Sequence, residues 1–357
     1  MGAANPQAAA TKVLEIAKKL HLSVKVAAVT GDDVFGQIDP NQQALETGRP
    51  LNESGQLVSA NAYIGIDAIL PALESGADII VTGRVADPSL FLAPMVHEFG
   101  WKTDGYDILG KGTVIGHLLE CAGQITGGYF MGPGKKDVPN PAQLGFPIAE
   151  VSADGSAVIS KVNGTGGVIN LMTSKEQLLY EVVNPHEYYT PDVIADFTSV
   201  KLSEIGKDMV HVSGGGGKAR PSTLKVSVGY QAFWLGEGEI SYAGTNALQK
   251  AKLAGQIIEE RLKDRMDELR VDFVGLNAVF RGAFDQQNEP AEVRLRVAGR
   301  AQKMEVASLV GEEAEALYTN GPAGGGGARK YVNEIVGIVS VLLARGLVVP
   351  QVTVKEI

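Results

Sequence analysis

The segment Gly116-His117-Leu118-Leu119-Glu120-Cys121 sets three reactive side chains at i, i+3 and i+4. On a helix these positions share a face, so His117, Glu120 and Cys121 would cluster. Three chemistries suit such a cluster. Zinc accepts His and Cys together, and the spacing imitates a zinc motif. A Cys–His pair with a carboxylate orienter is the logic of a covalent nucleophile. His117 or Glu120 could also act alone as a general acid or base. A single cysteine is most often a small buried hydrophobe. The five histidines supply no second ligand cluster. The expectation is therefore acid–base work by His117 and Glu120, with no metal.

Two charged segments read as loops that follow strands: Thr30-Gly31-Asp32-Asp33 and Thr82-Gly83-Arg84-Val85-Ala86-Asp87. In open α/β sheets, ligands bind at the carboxyl ends of the strands. Arg84 offers a bidentate fork for a carboxylate or phosphate. Asp32, Asp33 and Asp87 could serve as a general base or carry a divalent cation. Asp32 and Asp87 are assigned here to catalysis, and Asp33 and Arg84 to substrate binding. The plainer alternative is that Asp87 caps a helix starting at Pro88, with Arg84 paired to it. Both loops leave the same sheet edge, so Asp32, Arg84 and Asp87 are expected in one pocket.

Three glycine clusters compete for attention. Ser213-Gly214-Gly215-Gly216-Gly217-Lys218-Ala219-Arg220 fails the phosphate-loop pattern, because Val212 sits where the first glycine belongs and Ala219 replaces Ser/Thr. It reads as a mobile surface hairpin. Asn163-Gly164-Thr165-Gly166-Gly167 fails the dinucleotide pattern, since Ile169 takes the third glycine position. The third, Asn320 to Lys330, puts free backbone amides beside Arg329 near an expected helix start. Gly324, Gly325 and Arg329 are therefore candidate anion ligands, with a turn as the alternative. Gly236 to Gly244 combines Glu237, Glu239 and Tyr242, and reads as a strand–turn before a long helix, with acid–base machinery as the alternative.

These residues need elements to hold them. Asn5 and Pro6 make an N-cap and first helical residue, and the helix runs to Leu20. Val24–Val29 reads as a buried strand, Ile64–Ser75 as a helix, and Asp78–Thr82 as a second strand. Helices over Ser89–Gly100 and Gly112–Gly123 follow. This alternation predicts an α/β layer with a mostly parallel sheet. Beyond Gly132, proline and glycine thicken. Strands are expected at Pro147–Val151, Ala157–Val162, Leu224–Tyr230, Val271–Phe280 and Glu292–Ala298. Helices are expected at Ser174–Val182, Asn246–Leu269 and Ala301–Tyr318, with a final apolar helix at Ile335–Ala344. The fold class is therefore α/β: a mostly parallel N-terminal layer over 1–135, then an α+β part over 136–357.

Composition sets the frame. A chain of 357 residues implies about two domains at ~150 residues each. Charged residues are 20% and hydrophobic ones 45%, which excludes disorder as the main state. Net charge is −9 with no Lys/Arg block, so nucleic acid and anionic membranes are not expected partners. The one cysteine, Cys121, permits no intrachain disulfide and fits a reducing compartment. The longest apolar run is far short of the ~20 residues of a membrane helix, and no signal peptide is visible. A cytoplasmic location follows. No nicotinamide fingerprint is present, and no cofactor is expected. A sheet that opens without its first strand leaves an edge to cover, which predicts a homo-oligomer.

Several blocks point one way: Ala60-Asn61-Ala62-Tyr63-Ile64-Gly65, DAILPALESGADIIVTGRVADPSLFLAP, HLLECAGQITGGYF, GFPIAEVSADGS, YTPDVIADF, GEISYAG and LYTNGPAGGGG. In this order the chain resembles the acyclic terpene utilisation family, AtuA type, from Met1 to about Arg345. Relative to that family, an N-terminal glycine-rich strand–loop ahead of Gly2 is expected to be lacking. The resemblance implies catabolism of acyclic terpenes through branched acyl-CoA thioesters. The expected activity is lyase- or hydratase-type acid–base chemistry on an anionic carboxylate or CoA thioester. The alternatives are a non-catalytic binding or assembly subunit, and a metal-dependent hydrolase.

Overall fold

An asparagine side chain starts the fold. Asn5 Oδ1 accepts from Ala8 N at 3.0 Å and Pro6 occupies the first helical turn, so the cap donor that proline lacks is not missed. The computed structural model describes residues 4–279 and 290–357. Helix α1 spans Pro6–Lys19 and buries Ala10 against Val26 and Ala28 of strand β1, Lys25–Thr30. Strand β2 (Gln56–Ala62), helix α2 (Ile66–Glu74) and strand β3 (Ile79–Thr82) follow. Helix α3 (Ser89–Phe99) ends on Gly100 in the left-handed region, and α4 covers Tyr106–Leu119.

The middle of the chain is built from hairpins. Strands β4 (Pro147–Val151) and β5 (Ala157–Lys161) pair antiparallel. Helix α5 (Leu171–Leu179) starts with a reciprocal capping box between Asn170 and Thr173. Then come β6 (Tyr188–Tyr189), β7 (Ile194–Asp196), β8 (Lys201–Gly206), β9 (Met209–Ser213) and β10 (Gly216–Lys218). The rest comprises β11 (Thr223–Ala243), α6 (Ala247–Leu262), β12 (Glu268–Val274), β13 (Glu292–Ala301), α7 (Met304–Asn320), β14 (Gly326–Ala344) and β15 (Gln351–Glu356). No helix among the described residues is long and apolar enough to cross a membrane.

The contacts divide the chain into two interleaved units. The first comprises residues 1–45, 59–228 and 340–357; the second comprises 46–58 and 229–339. The boundary expected near residue 135 falls inside the first unit. In the first unit β1 pairs parallel with β3, from Val26↔Ile79 to Val29↔Thr82. On its other side β1 pairs antiparallel with β15, from Lys25↔Glu356 to Thr30↔Gln351. Two further sheets run β4-β5-β9-β8 and β10-β7-β6, with antiparallel pairings throughout.

In the second unit β12 pairs antiparallel with β13, and β13 with β11 from Trp234↔Ala301 to Ala243↔Glu292. Helices α6 and α7 cover this sheet through Ala251, Ile258, Val310 and Leu317, all buried. Gly236 lets α7 come close: a Cβ there would lie 1.8 Å from the Ala307 carbonyl oxygen.

Several expectations are corrected. The α/β class holds, but the sheets are mostly antiparallel; the two expected strands, β1 and β3, do pair in parallel. Short turns such as Ala153–Gly155 and Lys207–Asp208 close hairpins, which forces antiparallel partners. The apolar run Ile335–Ala344 is strand, not helix. Its Val and Ile residues are β-branched and Gly337 interrupts it, a composition that favours the extended chain over a helix. The tetraglycine is no loose hairpin either. Gly216 and Gly217 sit in β10, so close to α4 that a Cβ on Gly110 would lie 1.9 Å from the Gly216 oxygen. The strand expected over Val271–Phe280 is β12; Phe280 lies outside the described residues.

Candidate functional site

Strands β1 and β3 end side by side, with Gly83 N donating to Val29 O at 2.9 Å. Their following loops therefore meet, as predicted from the sequence for a parallel pair. Asp32 is 7% exposed and its Oδ2 accepts from Arg84 N at 2.8 Å and Asn61 Nδ2 at 3.0 Å. Gly83 makes room for it; a Cβ there would lie 1.9 Å from Asp32 Oδ1. Asp32 thus serves as a backbone clamp between the two loops. Asp33 is exposed and accepts from Phe35 N at 3.1 Å, a local turn contact.

The Arg84 side chain folds back on its own loop. Its Nε and Nη2 donate to Val85 O at 3.1 and 2.9 Å, and Nη2 meets Asp87 Oδ1 at 2.5 Å. Its guanidinium lies 4.7 Å from the Tyr63 ring centroid. Asp32, Arg84 and Asp87 form one contact chain, and Asp87 is the member that reaches open space. Helix α3 starts at Ser89 without a side-chain cap, so Asp87 is not consumed as one.

That open space is a cavity of ≈ 530 Å³ within the first unit. Carboxylates enter it from three loops: Asp87, Glu120 past the end of α4, and Glu181 past the end of α5. Tyr63, Tyr188 and Tyr189 add aromatic wall, while Leu45, Leu224 and Leu342 add aliphatic wall. Lys225 on β11 is exposed and is the cation of the lining, with Nζ 5.5 Å from the Tyr63 ring. Burial, then the nearby Glu120, Asp87 and Glu181 charges, pushes the Tyr188 phenol well above its ordinary range.

Behind Glu120 lies His117, fully buried on α4. Its Nδ1 is 3.3 Å from Glu120 Oε1, and its ring packs against Tyr188 and Phe197 at 5.4 Å each. Neither ring nitrogen is satisfied by an aligned hydrogen bond, and Glu120 Oε2 is buried without a partner. Such orphaned polar groups cost stability wherever they are not used. Helix α4 stops at Leu119, so Cys121 lies beyond its last turn. Burial, with the Glu120 charge, pushes the Cys121 thiol up, which opposes thiolate formation. Among the described residues no three or more His, Cys, Asp or Glu are grouped to hold a metal ion.

Gly324, Gly325 and Arg329 belong to the second unit and do not line the cavity. Their loop leaves the C-terminal end of α7 and enters a strand, and a Cβ on Gly324 would lie 3.9 Å from Lys250 Nζ on the first turn of α6. A helix C-terminus repels anions. A Cβ on Gly325 would lie 2.8 Å from Ile240 Cδ1; close packing explains that glycine. Sequence reasoning missed Tyr63, Glu181, Tyr188 and Lys225 as cavity residues. Tyr63, the Glu181–Tyr188 stretch and Lys225 lie far apart along the chain, and no single helix or strand links them.

A family profile described as acyclic terpene utilisation family protein AtuA matches residues 1–354. No curated protein and no solved structure matches the chain.

Proposed function

The chain belongs to the acyclic terpene utilisation (AtuA) family, and from that premise we propose that it is an enzyme of acyclic terpenoid or branched-chain acid catabolism. The substrate is a carboxylate or an acyl-CoA thioester, and the chemistry is acid–base addition or elimination. The observation that carries this reading is Glu120 on the cavity wall, backed at 3.3 Å by the fully buried His117. A carboxylate in a partly apolar wall with an imidazole behind it can take a proton and pass part of its charge inward. The cavity volume lies within the usual ~300–1,000 Å³ of small-molecule sites.

The parts divide as follows. Leu45, Leu224 and Leu342 receive the branched hydrocarbon chain. Lys225 meets the anionic head group, because the Arg84 fork is already occupied by Val85 O and Asp87. For water addition to a conjugated double bond, Glu120 takes a proton from water as the oxygen bonds to the β-carbon. The same Glu120, now protonated, then delivers that proton to the α-carbon, so the addition balances on one carboxyl group. Elimination runs the same steps backwards.

The test offers the purified protein acyclic branched α,β-unsaturated acids and their CoA thioesters, with water addition followed by mass spectrometry. Glu120→Gln is expected to lower kcat by ~10²–10⁴ while calorimetric binding is retained. Lys225→Met is expected to raise KM. Full turnover by Glu120→Gln, or no turnover of either substrate class, overturns the reading.

A further inference from the structure

Strand β14 occupies the end of the second unit's sheet: β12, β13, β11 and β14 follow in that order. Among the described residues β11 is the one strand paired with it. An edge strand presents a row of unpaired N–H and C=O groups, and proteins blunt such edges with proline, bulges or charge. From Ala328 to Val336 there is no proline, the Ala328 N–H donates to Tyr318 Oη at 2.9 Å, the charges are Arg329, Lys330 and Glu334, of both signs, and Tyr331 and Val336 are 49% and 55% exposed. Eight steps of ~3.4 Å between Ala328 and Val336 make a seam about 27 Å long.

We propose that this edge pairs with the same edge of a second copy of the chain, antiparallel, about a two-fold axis passing through Val332. The register follows from side-chain chemistry. A two-fold axis perpendicular to a sheet keeps every side chain on its own face, and facing residues must share a face. The axis must then fall on a residue. Centring it on Lys330 sets lysine against lysine, and centring it on Glu334 sets glutamate against glutamate. A centre at Tyr331 sets Lys330 against Val332 and Glu334 against Ala328. A centre at Asn333 sets Lys330 against Val336 and Val332 against Glu334.

A centre at Val332 behaves differently. Lys330 faces Glu334 of the second copy, and the symmetry repeats that ion pair. Ala328 faces Val336, and Val332 faces its own equivalent. On the other face Tyr331 meets Asn333 and Arg329 meets Ile335. Ala328 and Val332 pack onto the helical core of their own unit, so the Val332 pair extends that core across the seam. Lys330 already touches Glu315 at 2.5 Å, and Glu334 accepts from Gln231; both contacts lie on exposed side chains and leave room for a second partner. This inference is independent of the proposed chemistry.

The test is light scattering of the full chain at micromolar concentration. The wild type should show about twice 37.6 kDa. Lys330→Glu and Glu334→Lys should each give the monomer mass, since each sets like charges face to face twice. The double variant Lys330→Glu/Glu334→Lys should recover the dimer, which a merely misfolded chain would not do. In a Cys121→Ser background, Val332→Cys should oxidise to a covalent dimer and Tyr331→Cys should not. A monomeric wild type, a dimer unaffected by both single swaps, or cross-linking by Tyr331→Cys in place of Val332→Cys overturns the proposal.

Discussion

Asp192 shows what a buried carboxylate does when its hydrogen bonds come from neutral donors. It is 2% exposed, its Oδ1 accepts from Ile66 N at 2.8 Å, and its Oδ2 accepts from Ser89 Oγ at 2.5 Å. It ties the starts of α2 and α3 together, and Ser89 follows the cavity residues Asp87 and Pro88. Burial lifts its pKa to about 6, against the pull of the Ser89 and Ile66 hydrogen bonds. The ordinary value is 3.8. The folded chain therefore holds more protons than the unfolded one between those values, and stability falls as pH rises through that window. The gap amounts to on the order of 3 kcal/mol. Denaturant titrations of wild type and Asp192→Asn at pH 4 and pH 7 check this: the wild type's advantage should shrink at the higher pH. A pH-independent difference would contradict the assignment. None of this was legible in the sequence, where Asp192 is one aspartate after a proline. Asp32 was legible by its place after a strand, but its role was not. Only the fold shows that its carboxylate is spent on the Arg84 and Asn61 N–H groups. His117 and Glu120 were legible as a pair because helical spacing is a local fact. Glu181 and Tyr188 needed tertiary structure to join them.

At the scale of elements, long periodic segments were the readable ones. Helices α1, α3 and α7 lie within a few residues of expectation because caps and apolar spacing are local. Strands β2 and β15 went unread. β2 is buried only at Ala60 and Ala62, and β15 is exposed at all but Val352, so no buried run marks either. The run Ile335–Ala344 was misread because a short apolar segment fits either period, and its β-branched content decides for strand. Close contact between α7 and its sheet yields a sharp test. Gly236→Ala places a methyl group against the Ala307 carbonyl and should cost ~1–3 kcal/mol by overpacking. Gly326→Ala, where nothing lies within 4 Å, should be nearly neutral. Thermal unfolding of the pair compares them directly; equal midpoints would show that α7 can shift without cost. In the same unit Ile258→Ala, at a fully buried position, should cost ~2–5 kcal/mol by denaturant titration.

At the scale of the whole molecule, the chain closes its first sheet with its last strand. Thr30 faces Gln351 across 321 residues of sequence, and the two are bonded side chain to backbone at 3.5 Å. Removing residues 350–357 uncovers the edge of β1, whose four central residues are buried. Such a truncation should lower the thermal midpoint and raise light scattering through edge-to-edge association; an unchanged midpoint would show that β15 adds nothing. Loop-closure entropy grows only as the logarithm of length, so so distant a pairing is tolerable at equilibrium. Its consequence lies in time. Residues 25–30 are synthesised well before residues 351–356, and through that interval β1 offers one open side to any other extended segment. The first unit thus completes its sheet only after the second unit has been made, because residues 46–58 and 229–339 lie between those two strands in the chain.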